Sequence, residues 1–481
     1  MIKAFYFFAL GCIGAWLTEL PLGGWWLILD LALFIHAALI SQQPFRHSWL
    51  FGLGYFTNAL WWLYISLHDI GGMFAPLAIF GVLALSAYLA IFLAAGISIT
   101  RQFRKPCLQV WALGATWTIG EWLRGYLLTG FPWAGIAESQ INGPFYSLAP
   151  LAGGLASCFA TVLLAGFISQ IKISWFKKII VISASLATSH ALSFLSFTTP
   201  IGSPIQIELV QGNFAQSLKF DPDYIQDQIN FYQNAITQSQ ADLVVTPETA
   251  FPVRENLINK NYLKDLGRNK YILTGVVGEP GNGRYANSAL GFGPELSYYR
   301  YDKAHLVPFG EFIPLGFQWF IDAMRMPLGN FYRGSSDQRP FVIKQTNTDI
   351  NTGIMICYED VFGGELAKRQ NETPHHLWIN LTNLAWFGDS QAPKQQLRLA
   401  QLRSIETGIP TIRATNTGIS AVINERGQVT AQLPEFTRTS LKTTVQAFEG
   451  KTPFVKWQNT PILVFCLGLL LWAWYSNKKS D

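Results

Sequence analysis

The chain has few charged residues for its length. Only 14% of its 481 residues are Asp, Glu, Lys or Arg, and 50% are hydrophobic, whereas about 25% of a typical soluble domain is charged. This balance excludes a uniformly soluble protein and indicates that part of the chain is embedded in a membrane. The formal net charge of +5 suggests no nucleic-acid partner, because the basic residues fall in short loops between apolar runs.

Cysteine is also scarce, and its positions exclude a disulfide framework outside the apolar runs. Cys12, Cys107, Cys158 and Cys466 fall within those runs, where a free thiol usually packs as a small apolar residue. Only Cys357 lies in the polar part of the chain. An exported domain would favour disulfides, so a thiol without a partner there predicts a reactive residue.

Two common kinds of site have no signature here. The sequence has no glycine motif of the P-loop type, so nucleotide chemistry is not expected. His305 has no second His or Cys at ligand spacing, and the pair 375–376 is expected at the surface. Neither a metal nor a cofactor is therefore predicted.

The apolar runs predict eight membrane spans, since about 20 apolar residues cross a bilayer. The first run, which follows Lys3, is expected to be a helix and not a cleaved signal peptide, because no small-residue cleavage site follows it. The eight segments are 4–20, 23–41, 48–67, 74–99, 106–128, 147–171, 179–197 and 459–476. The predicted domains are a seven-helix transmembrane domain (1–200), a catalytic domain (203–450), and a last transmembrane helix with a short cytoplasmic tail (457–481).

The short loops predict the orientation. Loops 21–23, 68–73 and 129–146 contain no Lys or Arg, whereas the alternate segments contain several. The positive-inside rule then places the N-terminus in the cytoplasm and residues 203–456 on the outer face of the membrane. The basic residues are Lys3, Arg46, Arg101, Arg104, Lys105, Lys172, Lys177, Lys178, Lys478 and Lys479.

Ionisable residues inside the predicted spans are few. Asp30 falls in the middle of a span, and such a residue invites a functional hypothesis. Glu121 and Arg124 are three residues apart and are expected to pair with each other on one helix, with contact to a lipid headgroup as the alternative.

Short β-rich runs alternate with helical patterns between 203 and 447, which predicts a layered α/β domain. One helix is predicted at 221–240, and another at 391–407 with Ser390 as its cap and Gly408 at its end. The predicted strands are 204–211, 241–247, 271–278, 287–292, 352–358, 376–382, 409–415 and 418–424.

Three short sequence motifs in this domain contain reactive side chains near the ends of predicted strands. They are TPETAFP with Glu248, YDKAHLVPFGEF with Lys303 and Glu311, and ICYED with Cys357. Glu248 could accept the thiol proton, and Lys303 could stabilise an oxyanion and lower the pKa of the cysteine. For any one of these charged residues alone, a simple ion pair would be the plainer interpretation.

Together these words resemble the Glu-Lys-Cys triad of the nitrilase (carbon–nitrogen hydrolase) superfamily, and within it the apolipoprotein N-acyltransferase family. The resemblance covers essentially the whole chain. The supporting words are VQGNFAQSLKFDP (210–222), INLTNLAWFGDS (379–390), RATNTGIS (413–420), EWLRGYLLTGFPWAG (121–135) and SLHDIGG (66–72).

The resemblance implies a polytopic helical membrane protein of about eight spans with an inserted extracytoplasmic αββα nitrilase-like domain. It implies Cys357 as nucleophile, Glu248 as general base and Lys303 as oxyanion-stabilising lysine. Glu311 corresponds to a supporting glutamate. Tyr358 and Glu359 correspond to the pair after the nucleophile, where the turn could also offer a backbone N–H to the oxyanion.

The chain departs from the family pattern at two positions. Leu384 stands where the family often has Asp, and Phe220 stands where it usually has Trp. Neither position belongs to the triad, so the departures leave the catalytic residues intact. They put the detailed loop contacts near the site in doubt, and no role is assigned to either residue.

The implied activity transfers an acyl chain from a phospholipid, phosphatidylethanolamine at its sn-1 ester, to the N-terminal amine of a lipoprotein's diacylglyceryl-cysteine. A Cys thioester would be the intermediate. The implied location is the inner membrane of a bacterium, with the catalytic domain on the periplasmic face, and the chain is expected to act as a monomer.

Two alternatives stay open on the sequence. The triad is equally compatible with a membrane-anchored nitrilase-type amidase, in which water resolves the thioester. A lipid transporter with an inactive sensor domain is disfavoured because all three triad positions are intact. The aromatic segment 313–340 is either a lid over the acyl pocket or an ordinary loop on the bilayer surface.

Overall fold

The computed structural model describes residues 2–218, 221–281, 283–314, 316 and 331–479. They form two compact units. The first consists of Met1–His68, Phe74–Ser196 and Thr452–Asp481, and the second of Asp69–Met73 and Phe197–Lys451. Phe220 and most of the segment predicted as lid or loop, residues 317–330, lie outside the described residues.

The first unit is helical, and each predicted apolar segment overlaps one long helix, whose ends differ from the predicted bounds by a few residues. These helices are Ile2–Leu17, Gly23–Leu39, Pro44–Ala59, Ala75–Thr100, Pro106–Arg124, Gly154–Ser169, Trp175–Leu192 and Thr460–Lys478. By length and composition, Ala75–Thr100 and Thr460–Lys478 could each cross a membrane, and Ile2–Leu17, Gly23–Leu39 and Gly154–Ser169 are shorter apolar helices. The number of spans stays a prediction.

The two charged residues of the fifth long helix pair as expected. Nη2 of Arg124 lies 2.7 Å from Oε2 of Glu121, and both side chains are largely buried. Nη1 of Arg124 also donates to the backbone oxygens of Phe131 and Trp133. The pair therefore holds the loop that follows the helix in place. Asp30, the other ionisable residue discussed above, is also buried within the unit.

The second unit contains two β-sheets. Its strands are β1 (Thr198–Gln211), β2 (Leu243–Val245), β3 (Phe251–Arg254), β4 (Tyr271–Gly281), β5 (Arg284–Gly293), β6 (Leu296–Asp302), β7 (Phe341–Lys344), β8 (Asp349–Ile356), β9 (Leu377–Thr382), β10 (Thr411–Thr415), β11 (Ala421–Ile423), β12 (Val429–Gln432) and β13 (Thr439–Gly450). One sheet has the order β13-β1-β2-β4-β5-β6, with β3 beside β4, and the other has the order β12-β11-β10-β9-β8-β7.

Alternating side chains of these strands build the layers. Leu243 and Val245 of β2 enter the apolar core between the sheets. Val244, which lies between them in sequence, points to the opposite face and packs with the helix residues Tyr232 and Ile236. This period of two buries both faces of the sheet. The second sheet is covered in the same way, so the predicted αββα sandwich is confirmed.

Among the described residues of the second unit, four helices form the outer layers. Asp221 caps the first, because its carboxylate accepts from the backbone N–H groups of Asp223 and Tyr224. The helices are Pro222–Gln238 and Lys260–Leu266 against the first sheet, and Gly363–Glu372 and Ala392–Thr407 against the second.

The predicted cap of the last of these helices is wrong by one residue. Gln391 occupies the N-cap position and already has helical dihedral angles, so the turn begins after Ser390. The side chain of Ser390 accepts from the N–H of Ala392, at 3.3 Å. Gly408 ends the helix in the left-handed region at φ 69°, as predicted.

The expectation that His375 lies at the surface is also wrong. The residue is 2% exposed, and its ring packs against that of Trp378. The backbone N–H of His375 donates to Oε1 of Gln370 at 3.0 Å. The helix Gly363–Glu372 therefore covers the turn that leads into β9. Burial lowers the pKa of His375 to about 3.

Candidate active site

The predicted reactive residues follow the carboxyl ends of strands. β2 and β4 run parallel, and the antiparallel neighbours β5 and β6 restore that direction in β6. Glu248 therefore follows β2, and Lys303 follows β6, at the same edge of one sheet. Cys357 follows β8 of the other sheet. The carboxyl edges of such sheets are where α/β enzymes collect their reactive groups.

Glu248 is held on both of its carboxylate oxygens. Oε1 accepts from Nδ2 of Asn287 at 2.5 Å, and Oε2 accepts from the backbone N–H of Asn383 at 2.8 Å. Nζ of Lys303 lies 3.9 Å from Oε1. Burial raises the pKa of Glu248, and Glu311 adds to that effect, whereas Lys303 opposes it. A carboxylate with a raised pKa is a stronger base.

Lys303 is fully enclosed, and its ammonium group contacts Glu311 as well as Glu248. Nζ lies 2.9 Å from both carboxylate oxygens of Glu311. Burial would lower the pKa of Lys303, but the two carboxylates outweigh it and raise the pKa. The lysine is therefore a fixed positive charge. Asn287 donates to Glu311 as well as to Glu248, so one amide aligns both carboxylates.

Cys357 occupies a strained turn. β8 ends at Ile356, and Cys357 begins a short 3₁₀ helix with φ 51°, in the left-handed region that non-glycine residues rarely adopt. Such a conformation costs about 1–3 kcal/mol and is typical of functional sites. The residue as a whole is partly exposed, although its thiol lies in a buried environment.

The resting state of Cys357 is the neutral thiol. Burial raises the pKa of the thiol well above its ordinary value, and the Glu248 carboxylate raises it further. Lys303 lowers it, as expected from the sequence, but does not reverse the direction. The predicted effect of the lysine on the cysteine pKa is therefore confirmed, and the pKa still rises overall because burial outweighs one neighbouring cation.

Glu359 fixes the turn that carries Cys357. Its carboxylate accepts from the N–H of Ile356 at 2.7 Å and from the N–H groups of Ala304 and His305 at 2.8 and 3.1 Å. The Tyr301 hydroxyl donates to the same carboxylate. One buried side chain thus joins the turn that carries Cys357 to the segment that carries Lys303.

Tyr358 packs its ring on the far side of this turn. The ring contacts those of Phe362 and His305 edge-on, and His305 stacks on Phe362 with ring centroids 3.6 Å apart. Nδ1 of His305 lies 2.9 Å from Glu365. The oxyanion role of the Tyr358 N–H stays a prediction. Within the described residues, no group of three or more His, Cys, Asp or Glu could hold a metal ion.

A buried ion pair behind the turn was not predicted. Nη1 of Arg413 lies 3.2 Å from Oδ2 of Asp360, and both side chains are buried. Asp360 accepts from the amides of Asn380 and Gln396, and both amides also donate to the backbone oxygen of Cys357. Burial raises the pKa of Asp360 to about 6, against the pull of Arg413. This network holds the Cys357 carbonyl in its strained position.

Sequence reasoning missed the amides because amides carry no local signal of a partner. Asn287, Asn380 and Asn383 were noted only as parts of strands and motifs, and nothing in their spacing indicates which carboxylate or carbonyl each contacts.

Leu384, which stands where the family often has Asp, is fully buried. A Cβ at Gly418 would lie 2.7 Å from its Cδ1, so the residue packs beneath the RATNTGIS loop.

Two parts of the chain match known protein families. Residues 11–167 match "Apolipoprotein N-acyltransferase N-terminal domain", and residues 209–452 match "Carbon-nitrogen hydrolase". A protein named apolipoprotein N-acyltransferase from Ralstonia nicotianae is 40% identical over 91% of this chain and 87% of its own. The chain belongs to the apolipoprotein N-acyltransferase family. The family resemblance predicted from the sequence is confirmed.

Other proteins are similar at lower identity. The apolipoprotein N-acyltransferase of Nitrosomonas europaea is 37% identical over 92% of this chain and 90% of its own. Among solved structures, an amidase from Nesterenkonia sp. AN1 is 17% identical, covers 55% of this chain and 97% of its own, and has a TM-score of 0.41.

The turn that carries Glu248 packs directly on Gly275 of β4, which yields a first prediction. A Cβ at Gly275 would lie 2.5 Å from the Thr249 nitrogen and 2.7 Å from the Glu248 Cα. We expect Gly275→Ala to lower the free energy of unfolding by about 1–3 kcal/mol through overpacking, as measured by thermal unfolding. At Gly310 the nearest atom would be 3.5 Å away, so Gly310→Ala is the control. Equal effects of both variants would contradict the close packing.

The charges around Cys357 predict that removing the carboxylate of Glu248 lowers the pKa of the thiol. Because the Glu248 carboxylate raises the pKa of the thiol, Glu248→Gln should lower that pKa and move the pH profile of Cys357 alkylation by iodoacetamide to lower pH. Peptide mass spectrometry follows Cys357 separately from the other thiols. Glu295→Gln, at an exposed glutamate paired with Lys344, is the control. A shift to higher pH would mean that Glu248 already holds the thiol proton at rest.

The pair Asp360–Arg413 predicts a non-additive effect on stability. Arg413→Met leaves a buried carboxylate unpaired and should lower the free energy of unfolding by about 3–5 kcal/mol. Asp360→Asn combined with Arg413→Met should recover part of that loss, because no unpaired charge is left. Thermal unfolding in detergent measures both. Arg426, an exposed arginine beside Glu425, provides the control Arg426→Met. Strictly additive losses would refute the coupling.

Proposed function

We propose that this chain transfers an acyl chain from a phospholipid to the N-terminal amine of the diacylglyceryl-cysteine of an apolipoprotein, through a thioester on Cys357. We further propose phosphatidylethanolamine, at its sn-1 ester, as the donor. The observation that carries the proposal is the grouping of Glu248, Lys303 and Cys357, which follow the carboxyl ends of β2, β6 and β8, in a chain of this family.

The first half-reaction forms the thioester. Glu248 takes the proton of the Cys357 thiol as the sulfur attacks the carbonyl carbon of the donor ester. The tetrahedral oxyanion is stabilised by the fixed charge of Lys303, and a backbone N–H of the Cys357 turn is the second donor. The carbon–oxygen bond then breaks, and the leaving oxygen takes the proton from Glu248, so that lysophospholipid departs neutral at that oxygen.

The second half-reaction uses the same groups in the reverse order. The neutral amine of the acceptor cysteine attacks the thioester carbon and gives a proton to Glu248. A second oxyanion forms beside Lys303, the carbon–sulfur bond breaks, and the sulfur regains the proton from Glu248. The products are an amide and the neutral thiol. The raised pKa values of Glu248 and Cys357 suit this exchange, because the proton moves between two groups that both hold it readily.

A membrane location accounts for the rest of the chain. Lifting an acyl chain out of lipid costs about 0.8 kcal/mol per CH₂, so a pocket at the bilayer surface avoids that cost. We propose eight spans, with residues 1–200 and 457–481 in the inner membrane of a bacterium and residues 203–450 on the periplasmic face. The long helices of the first unit support this arrangement, since Ala75–Thr100 and Thr460–Lys478 are long and apolar enough to cross a membrane. The basic residues of the alternate loops support it as well. We propose that the chain acts as a monomer.

Hydrolysis is the second candidate, because residues 209–452 match a carbon–nitrogen hydrolase. In that case water would replace the acceptor amine in the second half-reaction, and the triad itself would be unchanged. The fate of the thioester therefore distinguishes the two functions.

Incubation with phosphatidylethanolamine alone should add one acyl group to Cys357, as detected by peptide mass spectrometry. A model diacylglyceryl peptide with a free amine should then remove the group and become N-acylated. Cys357→Ser and Lys303→Met should form no adduct. Loss of the acyl group as free fatty acid at the same rate with and without peptide would favour hydrolysis. A wild-type chain that never acquires the group would refute both functions.

A further inference from the structure

Three exposed arginines and two tyrosines form a row beside the site, which we call the Arg–Tyr rim. Arg254 lies over the ring of Tyr285, 4.9 Å from its centroid, and Arg284 lies over the ring of Tyr332 at 4.5 Å. Arg333 follows Tyr332 in sequence. The members come from three separate segments, at the end of β3, the start of β5 and the stretch before β7.

The rim is attached to the residues of the site by backbone contacts. The backbone N–H of Tyr332 donates to the backbone oxygen of Tyr285 at 2.6 Å. Nε of Arg333 donates to the backbone oxygen of Ala304, also at 2.6 Å, and Ala304 is next to Lys303. Tyr285 lies two residues from Asn287 on β5, so the two side chains share one face of the strand. The rim therefore continues the surface that holds Glu248 and Glu311.

The charge of the rim is not neutralised. Among the residues that the structure describes, Arg254, Arg284 and Arg333 lie within ion-pair distance of no carboxylate. Arg300 of the same sheet is the contrast, because its guanidinium contacts Glu255 and Asp302. A guanidinium that stacks on an aromatic ring keeps its edge N–H groups available for an anion.

We propose that the Arg–Tyr rim binds the phosphodiester of the donor phospholipid and so presents the donor ester to Cys357. This inference rests on the proposed phospholipid donor. Arginine is the side chain best suited to phosphate oxygens, because its planar fork makes paired charge-assisted hydrogen bonds. In a glycerophospholipid, only the glycerol carbons separate the phosphate from the sn-1 ester. A phosphate held by Arg333, which contacts Ala304 beside Lys303, would therefore keep the donor ester near the lysine segment.

This subsite recognises the phosphodiester and not the amine of the headgroup. Phosphatidylglycerol should therefore be used as a donor, whereas an ester without phosphate should gain nothing from the rim. The difference between the two kinds of donor is what a purely structural role of the arginines would not produce.

The test replaces Arg254, Arg284 and Arg333 together by Gln and measures acylation of Cys357 by two donors. With phosphatidylethanolamine in micelles, kcat/KM should fall about 10-fold or more, since each lost charge-assisted hydrogen bond weakens donor binding. With p-nitrophenyl palmitate, which has no phosphate, kcat/KM should equal that of the wild type. Replacing the three arginines by Lys should restore part of the first rate.

A matched control removes the same charge elsewhere on the second unit. Arg268, Arg426 and Lys442 are exposed, and each lies beside a carboxylate. The triple Gln variant at these positions should act on both donors as the wild type does. Inorganic phosphate is added in a separate arm to compete with the lipid in the wild-type chain.

The outcomes separate this inference from the proposed function. A wild-type chain that is not acylated by phospholipid refutes the proposed donor itself. A wild-type chain that is acylated, with a rim variant that is equally fast, overturns only the rim. Equal loss with both donors also overturns it, because the arginines would then be structural. Inhibition by inorganic phosphate with an unimpaired rim variant would show a free-phosphate site, which contradicts the inference.

Discussion

The buried carboxylate of Glu359 is the contact on which the geometry of the site depends. It accepts from the backbone on both sides of the gap between Cys357 and Lys303, at Ile356 in one segment and at Ala304 and His305 in the other. Hydrogen bonds to a charged acceptor are roughly twice as strong as neutral ones. Because the partners are backbone groups, the carboxylate fixes the paths of both chain segments, and the reactive side chains follow from those paths.

The second constraint is the balance of charge inside that frame. Lys303 stands between Glu248 and Glu311, so the cluster has one more carboxylate than ammonium groups. That excess, together with burial, keeps Cys357 as a thiol at rest. A thiol that ionises only as it attacks is protected from adventitious electrophiles and oxidants. The Asp360–Arg413 pair behind the turn adds rigidity. The side-chain amides of Asn380 and Gln396, which donate to Asp360, also donate to the carbonyl of Cys357 and hold it in a conformation that the isolated chain would avoid.

Local sequence was sufficient for the parts of this protein that depend on local composition. The apolar runs predicted eight helices, because a stretch that stays apolar for about 20 residues has few other uses. Buried strands such as β4, β8 and β9 were visible as β-rich runs. Edge strands such as β12 and β13 were missed, since one exposed face leaves them a polar, irregular pattern. The three motifs with candidate catalytic residues were recognisable because Glu248, Lys303 and Cys357 each have side-chain chemistry that few other residue types supply.

The tertiary structure decided what depends on partners distant in sequence. No local signal could assign Asn287 to two carboxylates, or Asn380 and Gln396 to the carbonyl of Cys357, because an amide bonds equally well to many groups. The burial of His375 was predicted wrongly, and the net direction of the Cys357 pKa was not predicted, for a related reason. Each depends on the summed environment that the fold assembles, and a single neighbour read from the sequence does not determine that sum. The sequence by itself thus determined the family and which side chains are candidates for the reaction, and the fold decided their protonation and alignment.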